Sequence, residues 1–502
     1  MSRITRFIPH AAACFAGFAV MSLELLGSRL VAPVLGSSIL IWTNLIGVIL
    51  LALALGAWLG GRYADRSPDR RLIAGLLFGA GLWSAGLAVA SKYVLSAFSS
   101  LSPEVAAPFA ALVLLSVPAA LLGAVSPAVL RLTMKDVEHS GRTAGMLSAL
   151  GTVGSLFGTY VTGYVLLPRF RTSELLLGLA FILAAAAFLI VLPALRRRHA
   201  AVGIFAMTFV SQPWQSLSTP GVNEYPSAYG FVAAVQAMTS EGPANSLMIN
   251  KGFHAASHTA TPKESVLDYV RAIDASLPHL PVPTQTLALG GGGFHLAHDV
   301  LAAFPEATID VVEIDPAVMR VSEDLFELRE DPRMRITMAD ARTDVRRRPS
   351  GSYELLIQDA YGGDTSAPWH LMTKESFAEY ARLLTPNGVF VANVIMPTDP
   401  KSGSHGEQFS QDFVATAGTA FSWMYAVSTM NTENVEIPAN LIFFAGNGER
   451  PNPDTILGAI QTELVGNPVR FAKLSPGGQI WTDDFGPADF ESMAMYREAA
   501  LQ

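Results

Sequence analysis

The pattern of apolar and polar positions changes character near Arg196. Before it, apolar runs at 8–31, 39–61, 72–90, 106–130, 146–167 and 175–195 are broken only by short polar connections. A helix of about 20 apolar residues crosses the hydrocarbon core of a bilayer, so residues 1–199 are expected to form a six-span transmembrane bundle. Residues 200–226 hold a short apolar run, 201–210, too short to cross, followed by a stretch rich in Ser, Pro and Gly; they predict a linker. Within 227–283, short alternating runs at 230–235 and 246–250 are separated by Gly and Asn turn signals, which predicts a small antiparallel β unit. A helix with Val266, Tyr269, Val270 and Ile273 on one face then leads to a proline-rich stop. From 284 to 502, apolar runs at 286–289, 308–313, 335–338, 354–358 and 389–394 alternate with helical or polar segments. That alternation predicts a doubly wound, Rossmann-like α/β domain with a parallel sheet.

In such a sheet the carboxyl ends of the strands line one crevice. Gly290, Gly291, Gly292 and Gly293 follow the first run, Glu313 ends the second, Asp340 and Ala341 follow the third, and Asp359 and Asp364 follow the fourth. Glycines let the backbone approach a ligand, and the carboxylate of Glu313 suits the two hydroxyls of a ribose. Asp340 suits an adenine amino group, with the backbone at Ala341 reading the ring. His295 stands where a dinucleotide fingerprint would place its third glycine. A nucleoside without phosphates, such as S-adenosylmethionine or its decarboxylated form, therefore fits better than a nicotinamide dinucleotide. Asp359 and Asp364 would attract a cationic sulfonium and a cationic amine, and the amine must lose a proton before it attacks carbon.

Composition and charge narrow the picture. Half of the 502 residues are hydrophobic and only 15% are charged, a membrane-protein balance. A net charge of −8 argues against a nucleic-acid partner. The lone Cys14 excludes a disulfide framework, and no metal site is expected. Arg3, Arg6, Arg62, Arg66, Arg70, Arg71, Arg131, Lys135, Arg142 and Arg196 to Arg198 fall at the ends and in the even-numbered connections, against Lys92, Arg169 and Arg171 in the odd ones. The positive-inside rule then puts both termini and the glycine-loop domain on the cytoplasmic side, in a cell membrane of the bacterial inner type. Gly56 and Gly60, Gly75 and Gly79, and Gly154 and Gly158 stand one turn apart, as closely packed helices in lipid require. Pro118 and Pro127 are expected to kink the fourth span. Glu24 lies within the first span and needs a polar partner or water.

The glycine-rich strand end, together with 312–316, 331–333, 339–341, 353–359 and 383–388, resembles the spermidine synthase (polyamine aminopropyltransferase) family. Gly60-Gly61-Arg62-Tyr63-Ala64-Asp65 and Leu166-Leu167-Pro168-Arg169 resemble patterns of its membrane-fused branch. The resemblance implies a methyltransferase-type fold, decarboxylated S-adenosylmethionine as co-substrate without a further cofactor, and a polyamine acceptor. It implies that Glu313 and Asp340 bind the donor with the glycines, and that Asp359, with Asp364 beside it, holds or deprotonates the amine. This chain departs from the family pattern at Gly293, where an Asp is usual, and near 431–438, which replaces a stretch lining the amine site. The family's Tyr-His pair before the first strand has only Tyr269 and Asp268 as near candidates. These departures leave methyl transfer from S-adenosylmethionine, or a polyamine or nucleoside transporter or sensor, as alternatives; a homo-oligomer is left open.

Overall fold

The computed structural model describes residues 3–35, 39–98, 101, 103–134, 140–192, 221–239, 242–361, 368–429, 434–475, 477–484 and 488–499. It divides into two compact units, Met1–Pro220 with Pro226–Phe231, and Gly221–Tyr225 with Val232–Gln502.

In the first unit, α1 (Arg3–Leu35), α2 (Ile39–Arg66), α3 (Arg70–Ser96), α4 (Pro103–Gly123) continued by α5 (Val125–Thr133), α6 (Ser140–Tyr160) and α7 (Thr172–Val191) supply six helical segments long and apolar enough to cross a membrane. The fourth segment breaks at Ala124. Pro127 explains the break, because it has no N–H to return to the carbonyl of Gly123 four residues earlier; Pro118 lies inside the unbroken α4. The sixth helix ends in a π-helical turn, Val161–Leu166, where the hydroxyls of Ser22 and Thr162 meet at 2.8 Å.

Two of the three glycine pairs work as close-approach points. A Cβ on Gly56 would lie 1.9 Å from the Ala120 carbonyl oxygen, and one on Gly154 would lie 1.9 Å from that of Cys14. The helices α2 and α4, and α1 and α6, thus touch backbone to backbone. Gly75 meets nothing within 4 Å, so its pair with Gly79 does not do this.

In the second unit, β1 (Val222–Tyr225), β2 (Val232–Thr239), β3 (Gly242–Ile249) and β4 (Gly252–His258) form an antiparallel sheet in sequence order. β1 corrects the linker expectation, since 222–225 falls inside 200–226; pairing with β2 outweighs a turn-rich composition there. The helix α8 (Asp268–Ser276) follows, starting after Val266.

The larger sheet has seven strands in the order β10-β11-β9-β8-β5-β6-β7. Its five parallel members, β5 (Gln285–Leu289), β6 (Thr308–Glu313), β7 (Met334–Met338), β8 (Tyr353–Gln358) and β9 (Leu384–Pro397), match the five expected runs. Between them run α9 (His295–Ala303), α10 (Pro316–Leu325), α11 (Ala341–Val345) and α12 (Lys374–Leu383). The expectation of a wholly parallel sheet is corrected by β10 (Trp423–Ser428) and β11 (Pro438–Gly446), which make the sheet mixed. The return from β10 to β11 is too short for the helical crossover that a parallel pair needs, so β11 runs back antiparallel between β9 and β10.

Both faces of the sheet are covered. Leu287, Leu289 and Phe390 pack into one layer with Phe377 of α12 and Phe413 of α13 (His405–Ala417). Ala288, Val311 and Val391 face the other, with α8, α9 and α14 (Pro453–Glu463). The terminal helix, α15 (Ala488–Ala499), packs on α13. A period of two along each strand therefore separates two cores, while the strand ends stay free to carry polar groups.

Candidate active site

The turn after β5 is shaped by its glycines. Gly290 has a φ of +98°, and a Cβ there would lie 2.4 Å from the backbone oxygen of Asp359. Only glycine meets both conditions. Its N–H donates to the Val312 carbonyl at 2.9 Å, tying the loop to β6. The N–H of Gly291 donates to Glu313 Oε2 at 2.9 Å, and that of Asp315 donates to Oε1, also at 2.9 Å. Glu313 is buried, and burial pushes its carboxyl up from the ordinary value while these backbone donors oppose the shift. A further backbone hydrogen bond from Ile314 reaches the same carboxylate, and its remaining acceptor position is left for a hydroxyl donor.

Asp340 caps α11. Its Oδ1 accepts from the Thr343 N–H at 2.8 Å, and its Oδ2 lies 3.8 Å from His370 Nε2. Ala341 starts the same helix and packs on the core beneath. Ile314 and Met338 keep apolar side chains exposed beside Glu313 and before Asp340, a surface suited to a flat ring.

Asp359 follows β8 and is partly accessible. Its Oδ2 accepts from the Tyr269 hydroxyl at 3.0 Å, and its Oδ1 accepts from Asn393 Nδ2 at 3.0 Å. Both donors are neutral, and Asp359 has no basic partner among the described residues. Burial pushes its carboxyl up to about 6, against the two hydrogen bonds. Tyr269 is itself pushed well above its usual range by burial and by the adjacent Asp359. The Tyr361 hydroxyl donates to the Asn393 carbonyl at 2.7 Å.

The small sheet closes the crevice through β4. The Tyr269 hydroxyl also lies 3.4 Å from the His254 carbonyl oxygen, and a Cβ on Gly293 would lie 2.7 Å from Ala255 Cβ and 2.5 Å from His295 Cε1. A carboxylate at 293 has no room here, because the imidazole of His295 fills its place. Burial pushes His254 and His295 down to about 4, so both are neutral near pH 7.

Gly290, Gly291, Gly292, Glu313, Asp340, Ala341 and Asp359 thus all fall at or just beyond the carboxyl ends of β5 to β8 in one sheet. Asp364 lies outside the described residues. Sequence reasoning missed Asn393 and Asn440 and left Tyr269 a near candidate. Asn393 had a signal, an amide inside the apolar run 389–394, since a buried amide needs partners. Among the described residues, no group of three or more His, Cys, Asp and Glu could hold a metal ion.

No family model matches the chain. It is 32% identical over 154 residues to a polyamine aminopropyltransferase of Vibrio vulnificus, covering 30% of this chain and 51% of that protein. It is 33% identical over 128 residues to a spermine synthase of Arabidopsis thaliana, covering 24% and 35%. It is 30% identical over 126 residues to the Homo sapiens eEF1A lysine and N-terminal methyltransferase, covering 23% and 18%. The matched segment thus spans about half or less of these relatives. Among solved structures, a probable spermidine synthase from Corynebacterium glutamicum aligns over 53% of this chain and 97% of its own, with 22% identity and a TM-score of 0.44.

Proposed function

We propose, from the similarity of its second unit to polyamine aminopropyltransferases, that this unit transfers an aminopropyl group from decarboxylated S-adenosylmethionine to a polyamine-type acceptor. One observation carries this reading: the partly accessible carboxylate of Asp359 has only neutral donors, and its backbone lies against the glycine loop at Gly290. A carboxylate so placed favours a cationic ligand beside the donor. Glu313 and the loop from Gly290 to Gly292 hold the ribose, and Asp340 with Ala341 receives the adenine. The acceptor nitrogen gives a proton to Asp359 and attacks the carbon next to sulfur. A C–N bond forms, the C–S bond breaks, and sulfur keeps the electron pair as methylthioadenosine leaves. The sulfonium is already a good leaving group, so positioning and electrostatics supply most of the rate.

The test is to incubate the full chain with the decarboxylated donor and a panel of amines. Methylthioadenosine release above an Asp359→Asn control supports the reading, and none with any amine overturns it. A second reading, methyl transfer from S-adenosylmethionine, is favoured by the occupied space at Gly293, which leaves no acid for a donor amine. Transfer of a labelled methyl group separates the two. The first unit, on this proposal, anchors the enzyme in a lipid bilayer with both termini and the catalytic unit cytoplasmic, as the distribution of arginines supports.

A further inference from the structure

Asn393 and Asn440 lie on neighbouring strands, β9 and β11, two residues out of direct opposition, since Asn393 pairs with Ile442. A diagonal of that kind brings side chains of one sheet face within reach. Asn440 Nδ2 donates to Asn393 Oδ1 at 3.1 Å, and Asn393 Nδ2 donates to Asp359 Oδ1 at 3.0 Å. The direction of this chain is fixed by chemistry, because an ionised carboxylate only accepts. Asn393 must turn its NH2 to Asp359, which leaves its oxygen for the donor on Asn440. The Tyr361 hydroxyl holds the same residue by its backbone carbonyl at 2.7 Å.

We propose that Asn440, which does not touch Asp359, is a positioning residue that locks the amide of Asn393 in the orientation donating to the Asp359 carboxylate. The inference rests on reading Asp359 as the working acid, but it can be measured without turnover. Infrared difference titration of the full chain against Asp359→Asn reads protonation of this carboxyl directly. Asn393→Leu removes the donor and moves the Asp359 midpoint up by about one pH unit, the worth of one hydrogen bond to a charged group. Asn440→Leu moves it in the same direction by less, and the double variant moves it no further than Asn393→Leu alone. Should Asn440→Leu fail to fold, the near-isosteric Asn440→Asp replaces the donor by an acceptor; it raises the midpoint more in the wild-type background than in Asn393→Leu. An unchanged midpoint in the Asn440 variants, or a shift that adds fully to that of Asn393→Leu, overturns the proposal. Absence of amine-dependent turnover alongside the expected titration would refute the aminopropyl reading and leave the lock standing.

Discussion

Burial and hydrogen bonding act in opposite senses on the Asp359 carboxyl, and burial wins, leaving it at about 6. On the proposed reading Asp359 is the base, and a base must be ionised to work, so kcat/KM is predicted to rise with pH along a limb centred near 6. His254 and His295, held near 4, are ionised too low to produce that limb. Asp359→Asn should lower kcat by at least about 100-fold, the usual worth of a general base. Stability should move the other way. The folded value lies above the ordinary 3.8, so the fold is favoured with Asp359 protonated and loses that contribution as pH rises through 6. Melting curves should therefore show Asp359→Asn more stable than wild type at pH 8, an advantage that vanishes near pH 4. Gly290→Ala should cost more than about 1 kcal/mol, since the added methyl meets both a φ of +98° and the Asp359 oxygen at 2.4 Å; chemical unfolding measures it. The glycines, Glu313, Asp340 and Asp359 were legible because each stands at or just after the end of an apolar run. Asn440 was not, because its partner across the sheet depends on the register of two strands far apart in sequence.

At the scale of elements, the bundle helices could be located by length, whereas their contacts needed the structure. All three glycine pairs look alike in sequence, yet only those at 56 and 60 and at 154 and 158 meet a facing backbone. Gly56→Leu and Gly154→Leu are predicted to lower the melting temperature of the detergent-solubilised protein by several degrees, while Gly75→Ala leaves it unchanged. A single Cβ cannot fit 1.9 Å from a carbonyl oxygen, so the helices must separate along their length. The parallel strands were equally legible, since each is an apolar run followed by a helix. β11 was harder to assign: its run 441–445 is apolar like the others, but the direction of a strand is set by the connection before it.

For the whole molecule, the charge distribution predicts that the connections after α2 and α3 lie on opposite sides of the bilayer. Cys14 is the only native cysteine, which makes labelling simple. With Cys14→Ala as background, Ser67→Cys should react with an impermeant maleimide only in inverted vesicles, and Leu101→Cys only in intact cells. The reverse pattern would place the catalytic unit outside. In the second unit, the loops carrying Gly290 and Asp359 leave adjacent parallel strands, and the two backbones touch. Neighbouring strands stand about 4.8 Å apart, so the offset between the loop and the acid is set by the pitch of the sheet. The sheet thus acts as a ruler with a single graduation: on the proposed reading it would fix where the reacting nitrogen sits against the donor and leave the far end of the acceptor unmeasured.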